Sequence, residues 1–196
     1  MLNSYCHRYP ESHQVLGNHM FDASEPDPDL SAFHLGNKST TLQSKWWNTA
    51  EPIWTTATKS NKRVYLRYWS RCDVPFDGIL PEVGLGYGGE KSGNDVKDTF
   101  DIIPAKIHHN FSLVMAHVDF LDLLGHKHGP DSKHVLEGLK NLDQLLGKLQ
   151  FDIGEDKLNN TVMSSTLRFY FEFNFEILFE CLHEFLLTSG QYNPNK

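Results

Sequence analysis

Phe111-Ser-Leu-Val-Met-Ala116, Asp119-Phe-Leu-Asp-Leu-Leu-Gly-His-Lys-His-Gly-Pro130 and the leucine ladder from Val135 to Leu149 decide the fold class. The first run is almost continuously apolar, as expected of a strand buried in a parallel sheet. The second mixes charges with turn formers and reads as a link, with Gly125 permitting a sharp turn. In the third, Val135, Leu136, Leu139, Leu142, Leu145, Leu146 and Leu149 recur at steps of three, four and one. That is one helix face, and Pro130-Asp131-Ser132 supplies its start signal. Strand, link and helix form half of a βαβ unit, so the predicted class is α/β. Ligands of open α/β sheets bind beyond the carboxyl ends of the strands, which places the polar link 119–130 where a site would form.

Upstream, Val64, Leu66 and Tyr68 alternate with Arg63, Tyr65 and Arg67, the pattern of a strand. Residues 94–108 predict a helix capped by Asn94, with Val96, Phe100 and Ile103 on one face and Pro104 disturbing its regularity. Glycines at 84, 86, 88, 89 and 93 predict a mobile loop. A phosphate-binding loop is disfavoured, because Lys91-Ser92 follows Glu90 rather than glycine and no apolar strand leads in. Residues 1–60 are polar and irregular, with turn chemistry at Pro26-Asp27-Pro28-Asp29. Trp46, Trp47, Trp54 and Trp69 read as core or rim packing. At the far end, Phe169, Phe171, Phe173 and Phe175 alternate with polar residues as in a strand, and Ile177–Leu187 reads as a short helix.

The chain has 196 residues, enough for one domain or one domain with an appendage. With 39% hydrophobic and 22% charged residues it is a folding sequence, not a disordered one. Its 18 basic and 25 acidic side chains give a net charge of −7, which argues against a nucleic-acid polymer as partner. A small phosphorylated ligand is compatible if metal ions supply positive charge. Cys6, Cys72 and Cys181 are too sparse for a disulfide scaffold. The start MLNSYCHRYPESH has no apolar leader core. Phe169–Leu187 is interrupted by Glu172, Asn174, Glu176, Glu180, His183 and Glu184, so no membrane span is predicted. Sequons begin at Asn37, Asn110 and Asn159.

Asp122 and His126 are the main chemical candidates. A carboxylate and an imidazole four positions apart can face one cation, and this donor set suits zinc. A turn aspartate beside a solvent-facing histidine is the plain alternative. Two donors also fall short of the three or four that a protein zinc site uses, so others must come from elsewhere. His108, His109, His117, Asp119, His128 and His134 lie near in sequence. A single histidine near a strand is more often a hydrogen-bonded structural side chain.

Several segments in order resemble the ectonucleotide pyrophosphatase/phosphodiesterase family: Tyr9-Pro-Glu-Ser-His13, Gly17-Asn-His-Met-Phe-Asp22, Trp47 with Glu51-Pro-Ile-Trp54, Trp69, Asp73-Val-Pro75, Gly78-Ile-Leu-Pro81, and Asp122-Leu-Leu-Gly-His126-Lys-His-Gly-Pro130. The resemblance covers roughly Tyr9 to Thr161. Gly-His-x-x-Gly-Pro alone would also fit ethanolamine-phosphate transferases, but Tyr-Pro-Glu-Ser-His and Glu-Pro-Ile-Trp favour the nucleotide branch.

The resemblance implies an α/β class with an incomplete alkaline-phosphatase-like sheet flanked by helices. It implies a hydrolase of nucleotides or small phosphodiesters that uses two zinc ions and a Thr nucleophile, placed outside the cell or at its surface. By motif, Asp122 and His126 match two ligands of one zinc, and Trp69, Asp73 and Tyr87 match nucleotide-pocket positions, Tyr87 stacking on the base. Ser70-Arg71-Cys72 departs from the family's usual Pro-Gly after the tryptophan, which changes the pocket wall. The segment with the nucleophile and an early Asp ligand has no counterpart in this sequence, and neither does the Ser-Asp-His-Gly-Met run expected after Val162. The expected organisation is therefore a partial domain at 1–162 and a divergent Phe-rich segment at 163–196. The expected activity is impaired hydrolysis or ligand binding alone. Unpaired sheet edges would favour self-association.

Overall fold

The computed structural model describes residues 10–69, 71–86, 93–158, 161 and 163. The Phe-rich segment, Tyr87, Cys6 and Cys181 lie outside the described residues. Contacts divide the chain into two units, residues 1–89 with 110–117 and residues 90–109 with 118–196.

The first unit holds both sheets. After α1 (Pro10–His13), strands β1 (His19–Phe21) and β2 (Ala32–His34) pair antiparallel, with Met20 opposite Phe33. Between them α2 (Pro28–Ser31) is capped by Asp27, whose side chain accepts from Asp29 N at 2.9 Å, so the stretch that reads as a turn in the sequence opens a short helix. Helices α3 (Lys38–Thr41) and α4 (Ile53–Lys59) follow. Strands β3 (Val64–Arg67), β4 (Val83–Leu85) and β5 (Leu113–Ala116) form a parallel sheet in the order β4-β3-β5.

Trp54, Val64 and Leu66 are fully buried and share a core with Val15, Phe33, Trp47, Cys72 and Val74, while Trp46 and Trp69 pack at its rim. The tryptophans are thus core and rim, as expected. β3 departs from the predicted alternation because Tyr65 is buried along with Val64 and Leu66. Parallel sheets are commonly covered on both faces, and here the side chains on both faces of β3 are buried, so no alternation with solvent remains. Tyr65 instead meets Phe111 edge to face at 5.9 Å between ring centroids. Tyr68 leaves the strand with φ 56. β5 is parallel as predicted, but Leu113, Val114, Met115 and Ala116 are each only partly buried, since β5 is paired on one side only among the described residues. The glycine-rich stretch begins as a strand: Gly84 sits in β4, opposite Leu66.

The second unit is helical. Helix α5 (Gly93–His108) has Asn94 inside it rather than at its cap and carries Pro104 in its interior. Helix α6 (Phe120–His128) replaces the predicted turn-rich link. Helix α7 (Lys133–Ile153) is capped by Ser132, whose hydroxyl accepts from Val135 N at 3.3 Å, and α8 (Glu155–Leu158) follows. Both α5 and α6 pack on α7. Of the predicted α7 stripe, Val135 and Leu149 are buried, whereas Leu136 is exposed.

Candidate functional site

Asp119 precedes α6 as its N-cap residue, and its main-chain carbonyl accepts from Leu123 N at 3.0 Å. Leu121, Leu123 and Leu124 are good helix formers, and Leu121 is 3% exposed, so tertiary burial carries the segment through Gly125 as helix instead of turn. Gly125 is itself buried. Helix α6 ends at Gly129, whose N–H donates to the Gly125 carbonyl at 2.8 Å. Gly129 has φ 84 and ψ 153, a backbone region that only glycine enters without strain.

Helix α6 lies close on α7 because of Gly138. A Cβ there would be 2.7 Å from Leu124 Cδ1, 2.8 Å from Leu121 Cδ2 and 3.3 Å from Phe120 Cε1. The sequence signal is a glycine inside a strongly periodic helix, where it carries an intrinsic penalty of ~1 kcal/mol against alanine.

On this helix Asp122 and His126 lie one turn apart, with Asp122 Oδ2 and His126 Nε2 separated by 3.4 Å. Their side chains are 31% and 49% exposed, so both are open to solvent. Two donors on one tetrahedral zinc at ordinary bond lengths sit roughly 3.3 Å apart, so the separation matches that of two donors on a shared cation. The same spacing also suits an ion pair on a helix surface when His126 is protonated.

Three of the other histidines near in sequence, His108, His128 and His134, have partners away from Asp122 and His126. His128 stacks on His134, centroids 3.9 Å apart and planes at 15°. Desolvation, His134 and Lys127 together push the His128 pKa below its usual value. His108 Nε2 lies 3.2 Å from the Asp152 carbonyl oxygen. Among the described residues, no group of three or more His, Cys, Asp and Glu is placed to hold a metal.

Of the predicted pocket positions, Trp69 and Asp73 belong to the first unit, and Tyr87 lies outside the described residues. Trp69 is half-buried against the core, and Asp73 is exposed in the loop after it. Cys72 between them is 1% exposed, and burial pushes its thiol up to about 12. Arg71, where the family pattern changes, has φ 61 and is 3% exposed. Its Nη1 reaches the Thr41 carbonyl at 3.4 Å and its guanidinium lies 5.4 Å from the Trp47 ring centroid. Sequence reading did not foresee that this arginine points into the core, nor that Gly86 backs onto the Asp73 carboxylate.

Residues 8–164 match the family described as type I phosphodiesterase / nucleotide pyrophosphatase. Mouse ectonucleotide pyrophosphatase/phosphodiesterase family member 1 is 31% identical over 162 residues, which is 80% of this chain and 17% of that protein. A venom phosphodiesterase of Crotalus adamanteus is 28% identical over 158 residues, 79% of this chain and 18% of its own length. The chain thus spans less than a fifth of these two relatives. Among solved structures, an inactive form of murine ectonucleotide pyrophosphatase/phosphodiesterase 5 in complex with AMP superposes with TM-score 0.62 at 26% identity, covering 77% of this chain and 39% of that one. The mixed α/β fold is therefore that of the ectonucleotide pyrophosphatases, and the chain belongs to the type I phosphodiesterase/nucleotide pyrophosphatase family.

Proposed function

We propose that this chain carries one zinc-holding turn and the nucleotide wall of a phosphodiesterase/nucleotide pyrophosphatase. Asp122 and His126 would supply an oxygen and a nitrogen donor to the metal. When bound, zinc supplies Lewis-acid stabilisation of charge on a phosphoryl oxygen. Trp69 and Tyr87 offer aromatic surface to a base, and Asp73 is an acceptor for its N–H or O–H groups. The observation that carries this reading is the 3.4 Å Asp122–His126 pair, solvent-open on one turn of α6. The same reading assigns residues 1–162 to the partial phosphodiesterase domain and 163–196 to a divergent segment, and a nucleotide or small phosphodiester is the substrate class.

A second reading, ligand binding without turnover, is favoured by the donor count: among the described residues nothing joins Asp122 and His126 in a set of three. In this reading two donors act without a covalent nucleophile, and loss of that step and of most charge stabilisation costs many powers of ten in rate. The 196-residue chain separates the two. Zinc should bind in calorimetry, with Asp122→Ala and His126→Ala each weakening it at least about tenfold. Hydrolysis of a chromogenic nucleotide phosphodiester with added zinc should stay at the level of Asp122→Ala. Turnover well above that control would establish the hydrolase reading and end the silent one. Zinc binding indifferent to both substitutions would sink the site.

The surroundings support an extracellular or cell-surface setting. Asn37 and Asn110, the first residues of two sequons, are exposed, as glycan acceptors must be. No helix among the described residues is long and apolar enough to cross a membrane. Among those residues β4 and β5 each lack a neighbour on one side, so the reading includes self-association through a sheet edge. Sedimentation of a wholly monomeric chain would exclude that part.

A further inference from the structure

Strand β4 reads Val83-Gly84-Leu85 and is followed by Gly86, a composition poor in the residues that strands favour. Neither glycine has a positive φ, so backbone freedom is not what glycine supplies there. The two positions are two residues apart and face the same side of the extended chain. A Cβ at Gly84 would lie 2.6 Å from the Cys72 carbonyl oxygen and 2.9 Å from Pro81 Cγ. A Cβ at Gly86 would fall on Asp73 Oδ2 and lie 2.6 Å from its Cγ and 3.2 Å from its Cβ. One bare face of β4 therefore takes the Cys72–Asp73 segment directly against its backbone.

We infer that Gly86 is a positioning residue for the Asp73 carboxylate: lacking a Cβ, it lets that carboxylate seat directly against its own backbone. The inference rests on the reading of Asp73 as a nucleotide contact and adds what holds its carboxylate in place. Asp73 is exposed and so retains an open side toward solvent. Ionised, the carboxylate is an acceptor only, and it selects ligand groups that donate. Gly84 does the corresponding work one step earlier, giving the Cys72 carbonyl room so that the loop can lie flat on the strand.

A double-mutant cycle on the full chain tests this, with AMP as the probe and the melting temperature as a second readout. Gly86→Ala should weaken AMP binding about tenfold, the loss expected when a charged hydrogen-bond partner is displaced. It should also lower the melting temperature. In an Asp73→Ala background the same substitution should do little to either, because the colliding carboxylate is gone. Equal effects of Gly86→Ala with and without Asp73, in binding and in melting, overturn the inference. If Asp73→Ala leaves AMP binding intact, or the parent chain binds no AMP, the nucleotide reading falls. The melting cycle then decides the packing inference by itself: coupling sustains the seat of Asp73 on Gly86, and additivity overturns it.

Discussion

Asp122 and His126 meet across a single helical turn, whereas Asp73 and Gly86 meet only because β4 returns alongside the loop that leaves β3. In the first case local helix geometry makes the contact, and tertiary structure has only to hold the helix. In the second, no local rule brings the two together; the contact exists because the strand pairing is correct. The difference teaches where each function would fail. Damage to packing around α6 should move the zinc turn as a body and leave its internal spacing intact. Damage to the seating of β4 should shift Asp73 away from Gly86.

Gly138→Val puts this contrast under the greatest load. A branched side chain would enter the space held by Leu121 Cδ2, Leu124 Cδ1 and Phe120 Cε1. Overpacking of this kind typically destabilises by ~1–3 kcal/mol, and Val adds a helix-propensity penalty of its own. Urea unfolding should show a lower midpoint with an unchanged slope. Asp122→Ala should by contrast shift stability by less than about 0.5 kcal/mol, because it removes only an exposed pair. If Gly138→Val is as mild as Asp122→Ala, the close seating of α6 on α7 is wrong.

Arg71 tests the other side of the comparison. Its φ of 61 is a conformation that residues other than glycine adopt at a cost of roughly 1–2 kcal/mol, and its side chain is buried. Arg71→Gly and Arg71→Ala remove the same guanidinium from Trp47 and Thr41, but only glycine also relieves the backbone. The glycine variant should therefore be the more stable of the two by roughly 1 kcal/mol in chemical unfolding. Equal stability would mean that the backbone at Arg71 is not left-handed in solution.

The two regions were unequally legible in the sequence. The α7 stripe and its Ser132 cap could be read because helix periodicity and capping are short-range signals. The apolar run at 111–116 announced β5 as a strand of a parallel sheet, but not its partner β3, because strand pairing is a long-range contact that a local pattern does not encode. Helix α6 was misread as a link: glycine, histidine and proline weigh toward a turn when counted locally, while the burial of Leu121 and the fit of Gly138 are visible only in three dimensions. The role of Gly84 and Gly86 was hidden for a related reason. A glycine chosen for space looks in sequence like a glycine chosen for freedom, and only the approach of Cys72 and Asp73 tells them apart.

The smallest expected effect concerns the charges that tie α5 to α7. Asp101 accepts from Lys97 on its own helix and from Lys148 on α7 at 3.1 Å, and Lys148 also pairs with Asp152. Hydrogen bonds from Lys97 and then Lys148 hold the Asp101 carboxyl below its ordinary value. Because the folded value is depressed, the network contributes its stability above the unfolded carboxyl pKa near 3.9 and loses it as pH falls through the folded value. Asp101→Asn should therefore lower the melting temperature slightly at neutral pH and converge with the parent chain as the pH drops below 4, the gap narrowing further in high salt. A gap that persists unchanged into acid would show that Asp101 acts through shape and not through charge, and α5 would then be held on α7 by its apolar face alone.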